Sequence, residues 1–453
     1  MKKVFTYLCL AFLMVGCTKS TLNKTDYQVP APEDVVMYQV NPRNYASREA
    51  FQAITLHLDS IKQLGANVVW FMPIYEIGVE NSVHSPYCIK NYVDTDKEFG
   101  TVEQFKALVE ACHQRGMAVL LDWVANHTSW DNPWIKDHPE WYTQDEEGNI
   151  IWPEGTGWRD VADLNFDNAQ MCQAMIDAMK FWVTEVGVDG FRCDAADYVP
   201  LDFWKECLIQ LRAIEGHPLL MLAEGQRKGL FDVGFDMNYA WGWMSALRKV
   251  YNGAPVAMGE RRRMGPVSVS TLFETDSMEY AGLPEGKMKL RFTTNHDETS
   301  KMSPIREFFG EEGSMAAFVA SAFIHGGMLI YGSQEVGYPG KINFFNYVNV
   351  DWNAHSDLFS EYCQLVRIFK STPSIRKGAL KPYKDNYVLM FERSLDKERV
   401  LVMINMRDAQ HTVAIPAEWK NTECVDLMTN HAVTLSENER MFSPFEYIIL
   451  KRK

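Results

Sequence analysis

Short apolar runs alternate with longer amphipathic stretches along most of this chain. Residues 35–40, 68–73, 118–123, 190–193, 219–223, 234–237, 290–294 and 328–331 form the apolar runs. Near-continuous apolar character is what strands buried on both faces show. Helical spacing marks the stretches between them, at 49–64, 102–115, 168–186, 202–214 and 312–324. Within 102–115, Val102, Phe105, Leu108, Val109 and Cys112 recur at intervals of three and four, which buries one face of a helix. Eight strands alternating with helices predict a parallel α/β fold, and eight is the count that closes a (β/α)8 TIM barrel. An open doubly wound sheet is the alternative, and it would place a Gly-rich phosphate turn after the first strand. The turn here, Gln39-Val-Asn-Pro-Arg43, contains no glycine.

Two departures from a plain barrel follow. After the third strand, residues 128–165 form a short inserted loop domain holding Trp130, Trp134, Trp141, Tyr142, Trp152 and Trp158. Irregular segments of that length are usually functional. From about Lys381 the period changes to two, at 387–391, 400–404, 412–415, 424–427 and 446–450. That alternation predicts a C-terminal antiparallel β-sandwich over residues 380–453, after a boundary at Ser371-Thr-Pro373-Ser374. The barrel itself occupies 33–375.

The first residues read as a targeting segment. Lys2 and Lys3 precede an apolar stretch at 4–15, shorter than the roughly 20 residues that span a bilayer and suited to a signal-peptide core. Leu13-Met-Val-Gly-Cys17 resembles the bacterial lipobox. Residues 1–16 are thus expected to be a lipoprotein signal peptide, and 17–32 a tether carrying lipid on Cys17. The mature protein would be exported and anchored to a bacterial membrane, at the periplasmic face or cell surface.

Length and charge add bounds. At 453 residues the chain holds two or three domains, and its 47% hydrophobic and 23% charged content is that of a globular protein. A net charge of −14 argues against nucleic acid as a partner, since phosphate binding needs a positive surface. Beyond Cys17 there are seven cysteines, an odd number at wide spacing without a CxxC pair. Neither a zinc site nor a disulfide framework is expected.

Carboxylates cluster at the ends of the apolar runs: Asp122 in Asp-Trp-Val-Ala-Asn126-His127, Asp163 in Val-Ala-Asp-Leu-Asn165, Asp194 in Gly190-Phe-Arg192-Cys-Asp, Glu224 in Ala-Glu-Gly225, and Asp297 in Thr-Asn-His296-Asp. In a barrel all strand C-termini share one rim, where active sites sit. Two carboxyls about 5–5.5 Å apart can cleave a glycosidic bond with retention, one attacking and one delivering a proton. Their environments must differ, so that one is ionised and the other protonated. Arg192 and Asp194 are i and i+2 on a strand and face the same way, and an adjacent cation favours the ionised nucleophile. Glu224 ends a very apolar strand between Ala223 and Gly225, a setting that favours the protonated acid.

Together these segments resemble the conserved regions of the α-amylase superfamily, glycoside hydrolase family 13, over nearly the whole mature chain. The resemblance implies Asp194 as nucleophile, Glu224 as acid/base and Asp297 as the acid stabilising the transition state. It implies that Arg192 orients Asp194, that His127 and His296 hydrogen-bond the sugar, and that Tyr87 of Ser85-Pro-Tyr stacks on it. Asp122 supports the site from behind, and Glu335 of Gly332-Ser-Gln-Glu shapes the rim. No cofactor is required, while Asn126 and Asp163 match two of the family's calcium positions and are oxygen donors suited to that ion. One departure stands out. Where many calcium-dependent members continue the Asp194 motif as Ala-Ala-Lys-His, this chain has Ala195-Ala196-Asp197-Tyr198, which implies different leaving-group subsites. The resemblance implies a retaining hydrolase of α-1,4-glucosidic bonds in starch-derived glucans or malto-oligosaccharides. A transglycosylase would share these residues, and a glucan-binding lipoprotein that has lost catalysis is a third reading.

Overall fold

The computed structural model describes residues 27–258 and 261–453, with side chains throughout except at residues 254–264. The expected signal peptide and Cys17 lie outside the described residues. Eight parallel strands close into a barrel: β1 (Val36–Val40), β2 (Val68–Phe71), β3 (Ala118–Trp123), β4 (Gly190–Cys193), β5 (Leu220–Ala223), β6 (Met237–Tyr239), β7 (Met288–Arg291) and β8 (Gly327–Tyr331). Each strand pairs with its sequence neighbour, and β8 closes on β1. The TIM barrel expected from the alternation is therefore the fold. Almost every strand residue is buried, because helices cover the outside and side chains fill the inside.

Register places the chemistry. Asp122 pairs with Arg192 across β3 and β4, and Cys193 pairs with Ala223 across β4 and β5. The ladder continues one residue further: Asp194 N donates to Trp123 O (2.8 Å) and Glu224 N to Cys193 O (2.9 Å). Asp194 and Glu224 thus leave neighbouring strands side by side at the barrel's C-terminal rim.

Two strands lie away from the expected positions. β6 spans 237–239 and not 234–237, because Asp236 binds Met221 N (2.9 Å), Arg212 and Lys287 below the start of pairing. β7 begins at Met288, two residues early, because its charged residues disguise it. Arg291 is buried against Asp276 (2.5 Å), Glu279 (2.6 Å) and the Trp243 ring. The stretch 168–186 is a helix at Ala169–Phe181 that widens into a π turn at Trp182–Val186, where the Trp182 indole reaches Tyr92 O (2.6 Å). Around the insertion, His127–Ser129 and Val161–Asp163 pair antiparallel, with His127 opposite Asp163. Hairpins Tyr75–Ile77/Ile89–Thr95 and Ala254–Met258/Arg261–Gly265 were not foreshadowed by the pattern.

The C-terminal unit has a six-stranded antiparallel sheet: β9 (Ala379–Tyr383), β10 (Val388–Leu395), β11 (Glu398–Asn405), β13 (Glu423–Asp426), β14 (Ala432–Thr434) and β16 (Tyr447–Arg452). A second sheet pairs β12 (His411–Ala414) with β15 (Glu439–Phe442). Alternation in β10 and β11 divides the residues between two cores. Leu389, Phe391, Val402 and Ile404 join the barrel core through the buried helix Glu311–Ile324, while Met390, Leu401 and Met403 enclose Trp419 and Phe442. The seven cysteines from Cys88 onward are free thiols. Among the described residues no helix is long and apolar enough to cross a membrane.

Candidate active site

The five predicted segments converge on a cavity of about 350 Å³ at the C-terminal rim. Tyr87, His127, Asp194, Glu224, His296 and Asp297 line it, with Trp158 and Asp160 from the insertion and Phe344 and Phe345 from the loop after β8. Its organising group is the fully buried Arg192. Nη1 donates to Asp122 Oδ1 (2.7 Å) and to Asp194 Oδ1 (2.8 Å). Nη2 lies 2.9 Å from Glu224 Oε2, an ion-pair contact without hydrogen-bond alignment. Nε donates to the Tyr239 hydroxyl (3.2 Å), and the guanidinium sits over the rings of Trp70, Tyr87 and Tyr239.

A second network fixes the histidines. Tyr87 bonds His296 Nε2 through its hydroxyl (2.6 Å) and also donates to Asp122 Oδ2 (3.2 Å). Gln39 Nε2 meets His296 Nδ1 (2.8 Å), and the Trp70 indole donates to Asp122 Oδ2 (3.2 Å). Asp297 is the most open of the acids, at 36% side-chain exposure, so a ligand can reach it.

Burial governs the protonation states. It pushes Asp194 well above the ordinary carboxylate range; Arg192 opposes this, and the charges of Glu224, Asp122 and Asp297 add to it. Asp122 is pushed up to about 7 by burial against the pull of Arg192. Asp297 also rises through burial. Asp122 and Asp194 share the Arg192 guanidinium, so they titrate together and not independently. Burial pushes His127 down to about 4 and His296 to about 3, with Arg192 contributing at His296. Both imidazoles are neutral at physiological pH, suited to hydrogen-bonding an uncharged ligand.

Each candidate acid, His127, His296, Arg192 and Tyr87 therefore meets in one place. Two expectations change. Glu224 is not in an apolar setting, since Arg192 of the adjacent strand touches it. Glu335 does not shape the rim: it is buried, accepting from the Tyr38 hydroxyl (2.6 Å) and Ser333 N (3.0 Å). Trp70, Tyr239 and Gln39 are contributions the sequence reading missed. Trp70 and Gln39 do lie near the ends of expected strands, a usable signal, whereas Phe344 and Phe345 carry none.

Asn126 and Asp163 are brought near each other, since Leu164 N donates to Asn126 O (3.2 Å). Both side chains already have protein partners. The Asn126 amide turns to His127 Nδ1 (3.3 Å), and Asp163 is bonded by Thr143. No group of three or more Asp, Glu, His or Cys residues is arranged for a metal among the described residues.

A closed barrel whose rim presents paired carboxyls over a buried arginine is the architecture of a glycoside hydrolase. Comparison with known proteins makes the assignment narrower. Residues 44–263 match the α-amylase catalytic domain, and residues 380–449 match the maltogenic amylase C-terminal domain. The chain belongs to the α-amylase family, glycoside hydrolase family 13. It is 28% identical to the α-amylase MalA of Haloarcula japonica over 88% of this chain, and spans 59% of that relative's length. It is 22% identical to α-amylase 3 of Dictyoglomus thermophilum, over 99% of both chains. Among solved structures it resembles a maltogenic α-amylase from Thermotoga neapolitana, with a TM-score of 0.81 and 26% identity over 93% of this chain and 99% of the other. An α-amylase from Lactobacillus plantarum gives the same TM-score and identity over 92% and 99%.

Proposed function

We propose that this chain hydrolyses α-1,4-glucosidic bonds in starch-derived glucans or malto-oligosaccharides, with retention of configuration. The observation that carries the reading is the single guanidinium of Arg192 contacting both Asp194 (2.8 Å) and Glu224 (2.9 Å). Two carboxyls held by one fork support the close pairing of retaining enzymes over the wider spacing that admits a water between them. Asp194 attacks C1 of the bound glucosyl unit as Glu224 passes its proton to the departing oxygen. The C1–oxygen bond breaks and an Asp194 glycosyl ester forms. Glu224, now ionised, takes a proton from water as that water attacks C1, which releases the sugar and restores both acids. Asp297 faces the developing oxocarbenium charge, and the neutral His127 and His296 hydrogen-bond the sugar hydroxyls. Similarity to α-amylases and the maltogenic-amylase C-terminal domain supports α-glucan as the substrate.

Incubation of the mature domain with maltoheptaose should release reducing ends in the α-anomer. Equal rates for wild type and Asp194→Asn would refute the catalytic assignment, and an initial β-anomer would refute retention.

Lipid attachment at Cys17 is part of the same reading, supported by the lipobox-like Leu13–Cys17 segment. Tyr27 hydrogen-bonds Asp189 (2.5 Å) and stacks on His113, at the barrel end opposite the acids. Metabolic labelling with palmitate, lost in Cys17→Ala, tests the attachment.

A further inference from the structure

Asp197 is where the Asp194 segment leaves the common family pattern, and its side chain does not enter the cavity described above. It reaches the loop after β5. Its carboxylate accepts from Gln226 N (2.8 Å), Arg227 N (3.2 Å) and Arg227 Nε (3.1 Å). Arg227 returns across the same gap, donating Nη2 to Ala196 O (2.9 Å) and Val199 O (2.8 Å). Five hydrogen bonds therefore join the loop that follows Asp194 to the loop that follows Glu224.

The joint lies close to the acids. Ala196 N donates to Glu224 O (2.9 Å), and Ala195 N donates to the Glu224 carboxylate itself (2.9 Å). Ala195 makes that second bond from the left-handed region, at φ 43°. A non-glycine residue stays there only when its surroundings hold it. The Asp197 carboxylate also packs so closely over Gly225 that a Cβ there would lie 2.6 Å from Oδ1.

We propose that Asp197 and Arg227 are a positioning pair for the acid/base: they lock the 195–199 loop, and through Ala195 N they fix the direction of the Glu224 carboxyl. This rests on the glucan-hydrolase reading above. The pair acts on Glu224 only through the backbone of Ala195 and Ala196, so its effect belongs to steps that need proton delivery. Cleavage of a malto-oligosaccharide needs such delivery, because a sugar alkoxide is a poor leaving group. Departure of fluoride from α-maltosyl fluoride needs little.

The test compares wild type, Asp197→Ala and Arg227→Lys on maltoheptaose and on α-maltosyl fluoride, with thermal midpoints recorded alongside. Mis-aimed groups cost about 10²-fold. Asp197→Ala should therefore lower kcat on maltoheptaose by about 10- to 100-fold with KM little changed. On the fluoride it should lose less than about threefold in the glycosylation step, the difference being set by general-acid catalysis. Arg227→Lys keeps the charge but not the fork, and should show the same selective loss in a milder form. Equal losses on both substrates, or a loss carried by KM, would overturn the proposal and leave the pair merely structural. If Asp197→Ala does not fold, the ratio for Arg227→Lys decides in the same way. A wild-type enzyme that cleaves neither substrate would instead overturn the glucan reading, and this role with it.

Discussion

Replacing Arg192 by glutamine removes the one cation buried among Asp122, Asp194 and Glu224. Breaking a buried ion pair from one side costs about 3–5 kcal/mol, because the surviving charge is left uncompensated. In rate, two charge-assisted hydrogen bonds of about 1.5–3 kcal/mol each are lost, which predicts a fall of about 10²- to 10⁴-fold in kcat/KM on maltoheptaose. The pH profile separates this from general damage. Arg192 lowers the Asp194 pKa against burial, so without it the carboxyl titrates higher. Catalysis needs Asp194 ionised, so the acidic limb of kcat/KM must move to higher pH. Arg192→Lys is the control. It retains the cation, so the limb should stay near the wild-type position, yet it cannot bridge two carboxyls as a planar fork does, so the rate remains low. Reducing-end assays from pH 4 to 9, with circular dichroism to verify folding, provide both readings. A folded Arg192→Gln enzyme with less than a tenfold loss and an unmoved acidic limb would refute the reasoning.

Asp122 should couple stability to pH. Its folded pKa of about 7 lies above the ordinary carboxylate value, so the folded protein keeps a proton that the unfolded chain releases. That contribution is present below about pH 4 and is lost as pH rises through about 7. His127 and His296, lowered by burial, act in the opposite sense, so the informative quantity is a difference: the thermal midpoint should fall more steeply between pH 5 and 8 in wild type than in Asp122→Asn. Tyr87→Phe keeps the ring but loses the bonds to His296 and Asp122. About 1–2 kcal/mol, or roughly tenfold in kcat/KM, should disappear while the midpoint barely moves. Gly190→Ala would place a Cβ 1.9 Å from Leu220 O at a φ of 146°, so urea unfolding should show a loss above about 4 kcal/mol, if soluble protein is obtained at all.

Much of the barrel was legible because strands buried on both faces leave a simple trace, a short apolar run. Where a strand departs from that trace, legibility fails for a reason that can be named. β7 includes Lys289 and Arg291, and their partners Phe231, Asp276 and Glu279 come from other elements, so no local pattern announces a buried charged strand. β6 starts late because Asp236 is held by Arg212 and Lys287, one 24 residues before it and the other far after it in sequence. The hairpin at 254–265 replaces what reads as featureless connection.

The site divides along the same line. Arg192 beside Asp194 is an i, i+2 relation within one strand, and the sequence exposes it directly. Glu224 beside Arg192 is a relation between adjacent strands, set by register. Reading Glu224 from Ala223 and Gly225 alone therefore gave an apolar setting, when the barrel supplies a guanidinium laterally. The difference matters for the mechanism. The group that orients Glu224 lies on the neighbouring strand, so the pairing of β4 with β5 that carries Glu224 beside Asp194 also brings both carboxyls to one guanidinium.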